Sequence, residues 1–353
     1  MNKKLPIKID NIAVSECWSF LRLAIIEAYS ELNYWKYENF TNIFSYSNGD
    51  IYYGKNGQLF DQFKVYEEVL ETLGFTYNQI NENEICDFII KNINKNSYPI
   101  IELDFSKFIN NCDEVYVHEI MFFGYDLEKE LFYIPLLSGS NWIIQEISFN
   151  DTINLYKKTS NLDINAKELM LYKRNFQYEI TVLKPKKNYK RNLIKEIFSL
   201  YRDLDFLIKE PTIERNNNNN DYSYIYEGYL STFNSLILAG INILKSTDPY
   251  YSKKTTNRYV YSKNLKTFFE CRNLLNQRIK NTFETLNLST LNLNNDYILS
   301  ELELCINLSI KYEITNNDKY ISIILNKLEE IHKKEKAYFI EIYNLLRKPI
   351  LNI

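Results

Sequence analysis

The chain has 353 residues, 45% of them hydrophobic, and a formal net charge of -3 at pH 7. This length exceeds what one ordinary core accommodates, so two domains are predicted, and the hydrophobic share is that of a globular protein. The slightly acidic balance excludes the strong basic excess of a protein that follows phosphates, and we expect no nucleic-acid partner.

The first ten residues alternate charges with single apolar residues, unlike the apolar stretch of a secretory signal peptide. No run of the sequence reaches the roughly 18 apolar residues that a membrane span needs. We therefore expect a cytoplasmic protein with no membrane partner.

The five cysteines are odd in number and form no CxxC pair, which argues against a disulfide framework and against a zinc or other metal site. Each is interpreted as a free thiol. The eight glycines of the chain make a loop that cradles a nucleotide unexpected, and no cofactor is predicted.

Residues 1–183 are predicted to form an α+β domain. A first helix starts near Cys17, with Ser15 as its N-cap, because apolar residues recur at helical spacing after it. Two more amphipathic helices are expected at about 61–74 and 83–95. An antiparallel set of strands should follow, at 98–105, 114–126, 131–137, 142–148 and 176–183.

From Lys184 onward the apolar residues recur every three to four positions, which predicts an all-α domain over residues 184–353. The tract at 215–221, with five consecutive asparagines, is interpreted as an exposed loop within this domain.

The chain contains two histidines, so any mechanism that needs an imidazole must use one of them. His332 lies among charged residues of a predicted helix, and we interpret it as a solvated surface residue. His118 lies within a predicted strand among residues that should be buried. It is either a hydrogen-bonded core histidine or a catalytic base.

Cys17 is the best candidate for a nucleophile. A thiol at the start of a helix faces the positive end of the helix dipole, which favours the reactive thiolate. The alternative is a small buried apolar residue on the same helical face as Leu21. The neighbouring carboxylate of Glu16 would oppose formation of the thiolate.

A cysteine at a helix start, followed about a hundred residues later by a histidine on a strand, is the order found in papain-like thiol enzymes. The string "CWSF" at 17–20 resembles the papain-type nucleophile segment. The strings "YPIIELDF" and "VHEIMFFGYD" resemble the papain-like N-terminal domain of the butirosin acyltransferase family and, more distantly, bacteriocin-processing peptidases. The resemblance covers about residues 10–160.

The resemblance implies an acyl group moved from the phosphopantetheine arm of an acyl or peptidyl carrier protein, through Cys17, to a small-molecule amine. His118 would carry the proton. Asn11 stands where that fold usually has the oxyanion-hole glutamine, and it would act together with the Cys17 backbone N–H. The resemblance suggests an activity of the kind found in the amide-forming enzyme of closthioamide assembly.

The residue that orients the imidazole in papain-like sites is missing here. At 134–136, where an Asn or Asp is expected, the sequence has Ile, Pro and Leu. Asp126 is too far along the strand and is interpreted as a turn former. If Glu128 and Lys129 form a two-residue turn, His118 lies opposite residue 139, and Asn141 becomes the candidate substitute. A dyad without a third member is the alternative.

Charged neighbours of these elements receive structural interpretations. Glu102, Asp104 and Glu119 are expected to face solvent on alternating strands. The basic stretch around 184–191 is interpreted as a charged linker that opens a helix, the alternative being a docking site for an acidic carrier protein. The other four cysteines are taken as inert: Cys86, Cys112, Cys271 and Cys305.

Three functions stay open at this point. The first is a papain-like thiol acyltransferase or amide-forming enzyme. The second is a cysteine peptidase or hydrolase that uses the same dyad with water as acceptor. The third is a non-catalytic interaction protein that kept the papain-like fold but lost the orienting residue.

Overall fold

The fold is taken from a computed structural model of the chain. It describes residues 2–9, 17–41, 43–46, 51–55, 58–59, 66–104, 106, 115, 117–138, 141–162, 178–187, 189–209, 225–227, 229–245, 256–288 and 295–350.

The protein is α+β, and its described residues group into two compact units. The first unit draws on the ranges 1–12, 16–33 and 62–190, and the second on 34–61 and 191–353. The second unit thus includes a segment from the N-terminal part of the chain, in addition to the C-terminal half.

Two four-stranded antiparallel sheets form the centre of the first unit. One has the strand order β1-β8-β9-β10 and the other the order β5-β11-β6-β7. The strands of these sheets are β1 (Asn2–Lys4), β5 (Leu70–Phe75), β6 (Tyr98–Asp104), β7 (Val117–Met121), β8 (Gly124–Asp126), β9 (Leu131–Ser138), β10 (Asn141–Ser148) and β11 (Ile180–Pro185).

Three helices of at least ten residues belong to the described part of this unit: α1 (Cys17–Ile26), α3 (Ile85–Asn94) and α4 (Phe149–Ser160). All eight residues from 19 to 26 of α1 are buried, so this helix lies inside the unit. Helix α4 begins after β10, where the Ser148 hydroxyl accepts a hydrogen bond from the Asp151 N–H at 3.0 Å. This is the N-cap geometry that a serine before a helix provides.

The helix expected at 61–74 is wrong for residues 70–74, and only residues 66–68 of its described part are helical, as a single 3-10 turn. Residues 70–75 form strand β5, which pairs with β11 in a regular antiparallel register. A Cβ added at Gly74 would lie 2.1 Å from the ring of Tyr178, so the strand needs a glycine there. Pairing with a strand distant in sequence therefore overrides the weak helical pattern of this segment. The helix expected at 83–95 is confirmed by α3.

The strand expected at 114–126 is interrupted in the structure. Strand β7 pairs with β6, whereas β8 pairs with β9 in the other sheet. The chain passes between the sheets at Phe122 and Phe123, whose N–H groups donate to the Pro99 and Tyr133 carbonyls at 2.8 and 3.1 Å. The hairpin that β8 and β9 form closes through four residues, 127–130, rather than the expected two.

In its described residues, the second unit is helical apart from one small sheet. This sheet has the order β12-β2-β3-β4, with β2 (Ile43–Tyr46), β3 (Ile51–Lys55), β4 (Gln58–Leu59) and β12 (Ile225–Glu227). The C-terminal region is helical as expected, but it is not all-α, because β12 pairs with β2. Its helices are α2 (Asn33–Asn39), α5 (Leu193–Lys209), α6 (Tyr229–Lys245), α7 (Thr256–Thr285), α8 (Asp296–Thr315) and α9 (Lys319–Ile350).

Candidate functional site

Helix α1 begins at Cys17, the position that the nucleophile hypothesis requires. The side chain of Cys17 and the whole of Asn11 lie outside the described residues. The predicted contact between the Cys17 sulfur and His118 therefore stays a prediction. What the structure gives is the placement of the two elements that carry these residues.

An aromatic stack joins the first turn of α1 to the start of β10. The rings of Phe20 and Trp142 are parallel to within 3°, with centroids 3.5 Å apart. Phe20 lies in the first turn of the helix, three positions after Cys17. Trp142 directly follows Asn141, the candidate orienting residue. The stack therefore brings the helix start and the backbone of Asn141 into one region of the first unit.

A buried ion pair joins α1 to β7. The Arg22 guanidinium donates to both carboxylate oxygens of Glu119, at 3.1 and 2.9 Å, and the side chains are 1% and 4% exposed. Burial by itself would lower the pKa of Arg22, but the Glu119 carboxylate outweighs it, and the pKa is raised above its usual value. The Arg22 guanidinium therefore stays charged, and the pair holds the helix against the strand that carries His118.

The expectation that Glu102, Asp104 and Glu119 face solvent is wrong, because all three are buried. All seven residues of β6 are buried, so both faces of this strand are covered, and strand alternation does not divide it into a wet and a dry face. The Asp104 carboxylate forms an ion pair with Lys158 of α4. These acids belong to the interior of the unit.

His118 is half-buried on β7, and its ring nitrogen Nδ1 lies 2.8 Å from the main-chain carbonyl oxygen of Glu119. A carbonyl oxygen only accepts hydrogen bonds, so Nδ1 must carry the proton. In the neutral ring, Nε2 is then the basic nitrogen. His118 and Glu119 are neighbours on a regular strand, and their side chains leave the backbone on opposite sides. The Arg22 contact therefore fixes β7 without touching the His118 ring.

The apolar residues at the positions expected for the orienting residue do not face the His118 ring with any polar side-chain group. Ile134 and Pro135 are buried within β9. Asp126 is a turn former as predicted, since its carboxylate accepts from the Glu128 N–H at 3.0 Å and the Lys129 N–H at 3.3 Å. Asn141 pairs with Ser138 through its backbone, and its side chain lies outside the described residues together with residues 139 and 140.

The interpretation of His332 as a solvated residue is wrong. It is half-buried on α9, and its ring centroid lies 5.3 Å from that of Phe233 on α6. The charged residues next to it in sequence face other directions of the same helix. The contact with the Phe233 ring accounts for its half-buried position.

Three cations of the basic stretch have contacts within the compact unit to which each of them belongs. Lys184 lies 3.6 Å from Glu71, Lys186 donates to the Glu67 carbonyl, and in the second unit Arg191 lies 2.7 Å from Glu196. These contacts give the cations structural partners. Whether this stretch also docks an acidic carrier protein stays a prediction.

Three of the remaining cysteines are buried thiols, and Cys112 lies outside the described residues. Burial raises the pKa of Cys86 and Cys271 to about 11 and that of Cys305 to about 12. A pKa raised in this way lowers the fraction of the reactive thiolate near neutral pH.

We predict that these three cysteines react with iodoacetamide at pH 7.5 at least about a hundredfold more slowly than glutathione, since their thiolate fraction is smaller and they are shielded. Peptide mapping by mass spectrometry after timed alkylation measures this. Labelling of any of them at the rate of glutathione would show that the thiol opens to solvent.

No known protein family matches the sequence, and no curated protein matches it either. Within the described ranges, no group of three or more His, Cys, Asp and Glu residues is arranged to hold a metal ion. No helix in the part of the chain that the structure describes is long and apolar enough to cross a bilayer.

Proposed function

We propose that the protein is a thiol acyltransferase or amide-forming enzyme that uses Cys17 as nucleophile and His118 as general base. The observation that supports this best concerns α1, whose first residue is Cys17. Contacts join this helix to β7, which carries His118, and to β10, which carries Asn141. The Arg22–Glu119 pair links α1 to β7, and the Phe20–Trp142 stack links it to β10. The helix start, His118 and the Asn141 backbone thus belong to connected elements.

The proposed reaction has two steps. The Cys17 thiol gives its proton to Nε2 of His118, and the sulfur attacks the carbonyl carbon of an acyl thioester. The Asn11 amide and the Cys17 backbone N–H would stabilise the oxyanion. The carrier thiol leaves with the proton from the imidazolium, so the enzyme holds an S-acyl group. An amine then attacks the carbonyl carbon of this group, the C–S bond breaks, and the proton that the amine loses passes through Nε2 of His118 to the Cys17 sulfur as the amide leaves.

The donor and acceptor classes follow from this chemistry. A thioester is already activated, so the reaction needs no nucleotide, in line with a sequence of only eight glycines. The acyl group would arrive on the phosphopantetheine arm of a carrier protein, and the acceptor would be a small-molecule amine. Water as the acceptor would instead make the protein a cysteine hydrolase.

Intact-mass analysis tests the proposal. We expect the native protein, incubated with an octanoyl thioester of N-acetylcysteamine, to gain the mass of one octanoyl group, and the Cys17→Ala variant to gain none. Addition of a diamine should then discharge the adduct as an amide rather than as free octanoic acid. An equal adduct on both proteins, or none on the native protein, would contradict the proposal.

A non-catalytic interaction protein is the second candidate, and two observations favour it. Ile134 and Pro135 are buried at the positions where the orienting residue was sought. The Arg22 contact also lies on the opposite side of β7 from the His118 side chain. Under this candidate, Cys17 alkylates no faster than a free thiol, whereas the acyltransferase candidate requires faster alkylation near neutral pH.

A further inference from the structure

The main-chain carbonyl of Glu119 points away from the sheet that contains it. The Glu102 N–H donates to the Glu179 carbonyl at 3.0 Å, on the β11 side of β6. Glu102 and Glu119 are opposite residues in the β6–β7 ladder. In an antiparallel ladder the opposite pairs alternate between bonded and non-bonded, so this pair exchanges no main-chain hydrogen bonds. The Glu119 carbonyl therefore faces the outer edge of β7.

The partner of this carbonyl is the imidazole of His118. Nδ1 lies 2.8 Å from the oxygen, and among the described residues β7 has only β6 as a paired strand. A carbonyl that accepts from Nδ1–H fixes both the tautomer and the orientation of the ring. In thiol enzymes that role normally belongs to a side chain, which neither Ile134 nor Pro135 can provide.

The side chain of Glu119 is held in place by Arg22. Its carboxylate receives two hydrogen bonds from Arg22, and Glu119 as a whole is 6% exposed. A bidentate pair restrains rotation as well as distance. The residue is thus held on one side by α1, while its carbonyl holds the imidazole at the strand edge.

We propose that Glu119 is the positioning residue of His118: anchored through its carboxylate by Arg22, it orients the ring through its main-chain carbonyl and leaves Nε2 as the base. This inference rests on the proposed function for the catalytic use of Nε2. The tautomer itself can be tested without any activity.

Long-range ¹⁵N–¹H correlation spectra of the imidazoles test the tautomer. In the His332→Gln variant only one histidine remains, so its signals need no further assignment. We expect neutral His118 to be the Nδ1–H tautomer, whereas a free imidazole favours Nε2–H. A spectrum of the Nε2–H form, or an average typical of a free ring, would overturn the inference.

The anchoring part is tested with the double variant Arg22→Met, Glu119→Leu, which replaces the ion pair by apolar side chains that can fill the space. We expect the tautomer population to shift toward Nε2–H and alkylation of Cys17 at pH 7 to slow by about tenfold or more, as when other supporting partners of imidazoles are lost. An unchanged tautomer and rate would overturn the anchoring role.

The matched control is Arg278→Met, Asp203→Leu in the second unit. That ion pair is 2.8 Å long, with side chains 4% and 6% exposed, comparable to the Arg22–Glu119 pair. We expect it to leave the His118 spectrum and the alkylation rate of Cys17 unchanged.

A native Nδ1–H tautomer without an acyl adduct on Cys17 would keep this inference and reject the proposed function. An acyl adduct on Cys17 together with an Nε2–H tautomer would keep the proposed function and reject this inference.

Discussion

Replacement of Glu119 by alanine is expected to lower the free energy of unfolding by about 3–5 kcal/mol. The carboxylate receives two hydrogen bonds from Arg22, and both side chains are almost fully buried. Without the carboxylate, the charged guanidinium of Arg22 stays buried in the first unit and loses both of these hydrogen bonds. The attraction that raises the pKa of Arg22 disappears as well, while the burial that lowers this pKa remains.

Urea-induced unfolding followed by circular dichroism measures this change. The double variant Arg22→Met, Glu119→Leu removes both charges and should restore most of the lost stability, because apolar residues of similar volume often replace a buried ion pair without loss. The exposed pair of Lys157 and Glu82 is a second control, since removal of an exposed pair costs about 1 kcal/mol or less. A loss below about 1 kcal/mol for Glu119→Ala would mean that water reaches the pair.

Much of the first unit could be predicted from local patterns. The strands at β6, β9, β10 and β11 and the start of α1 have clear apolar repeats and turn residues at their ends. The sequence pattern failed where pairing between distant segments decides the structure. Residues 70–75 join β11, more than a hundred residues away in sequence, and nothing in their own composition identifies that partner.

The candidate site shows the same division. The helix start at Cys17 and the strand at His118 follow from spacing, but the ion pair between them does not. One signal was present in the sequence: Arg22 stands within "FLRLAII", an otherwise apolar stretch, and a buried arginine requires an acidic partner. That signal predicts a buried acidic partner, but it does not say which of the 45 acidic residues of the chain this is.

The orienting role could not be found from the sequence, because a main-chain carbonyl is present at every position. Only the register of β6 and β7 shows which carbonyls are used in the ladder and which face the edge. The register that led to Asn141 is wrong, because β7 pairs with β6 and His118 lies opposite Leu103 rather than residue 139. Asn141 stays a candidate only through the stack of Trp142 beside it.

Replacement of His118 by asparagine is expected to slow acylation of Cys17 by about 10²–10⁴-fold, the usual contribution of a positioned general base. The asparagine amide can still donate to the Glu119 carbonyl, so the strand edge keeps its hydrogen bond, but no basic nitrogen remains to take the thiol proton. Rapid-quench mass spectrometry with the octanoyl thioester measures the rate.

The pH dependence distinguishes loss of the base from loss of the fold. In the variant, the rate should rise with pH until Cys17 ionises without the help of the imidazole, because only the thiolate attacks. In the native protein, the imidazole makes the thiolate available at lower pH, so the two rates should converge as the pH rises. His332→Gln is the matched control, since His332 packs against Phe233 in the other unit. If His118→Asn and His332→Gln acylate equally fast at neutral pH, His118 is not the base.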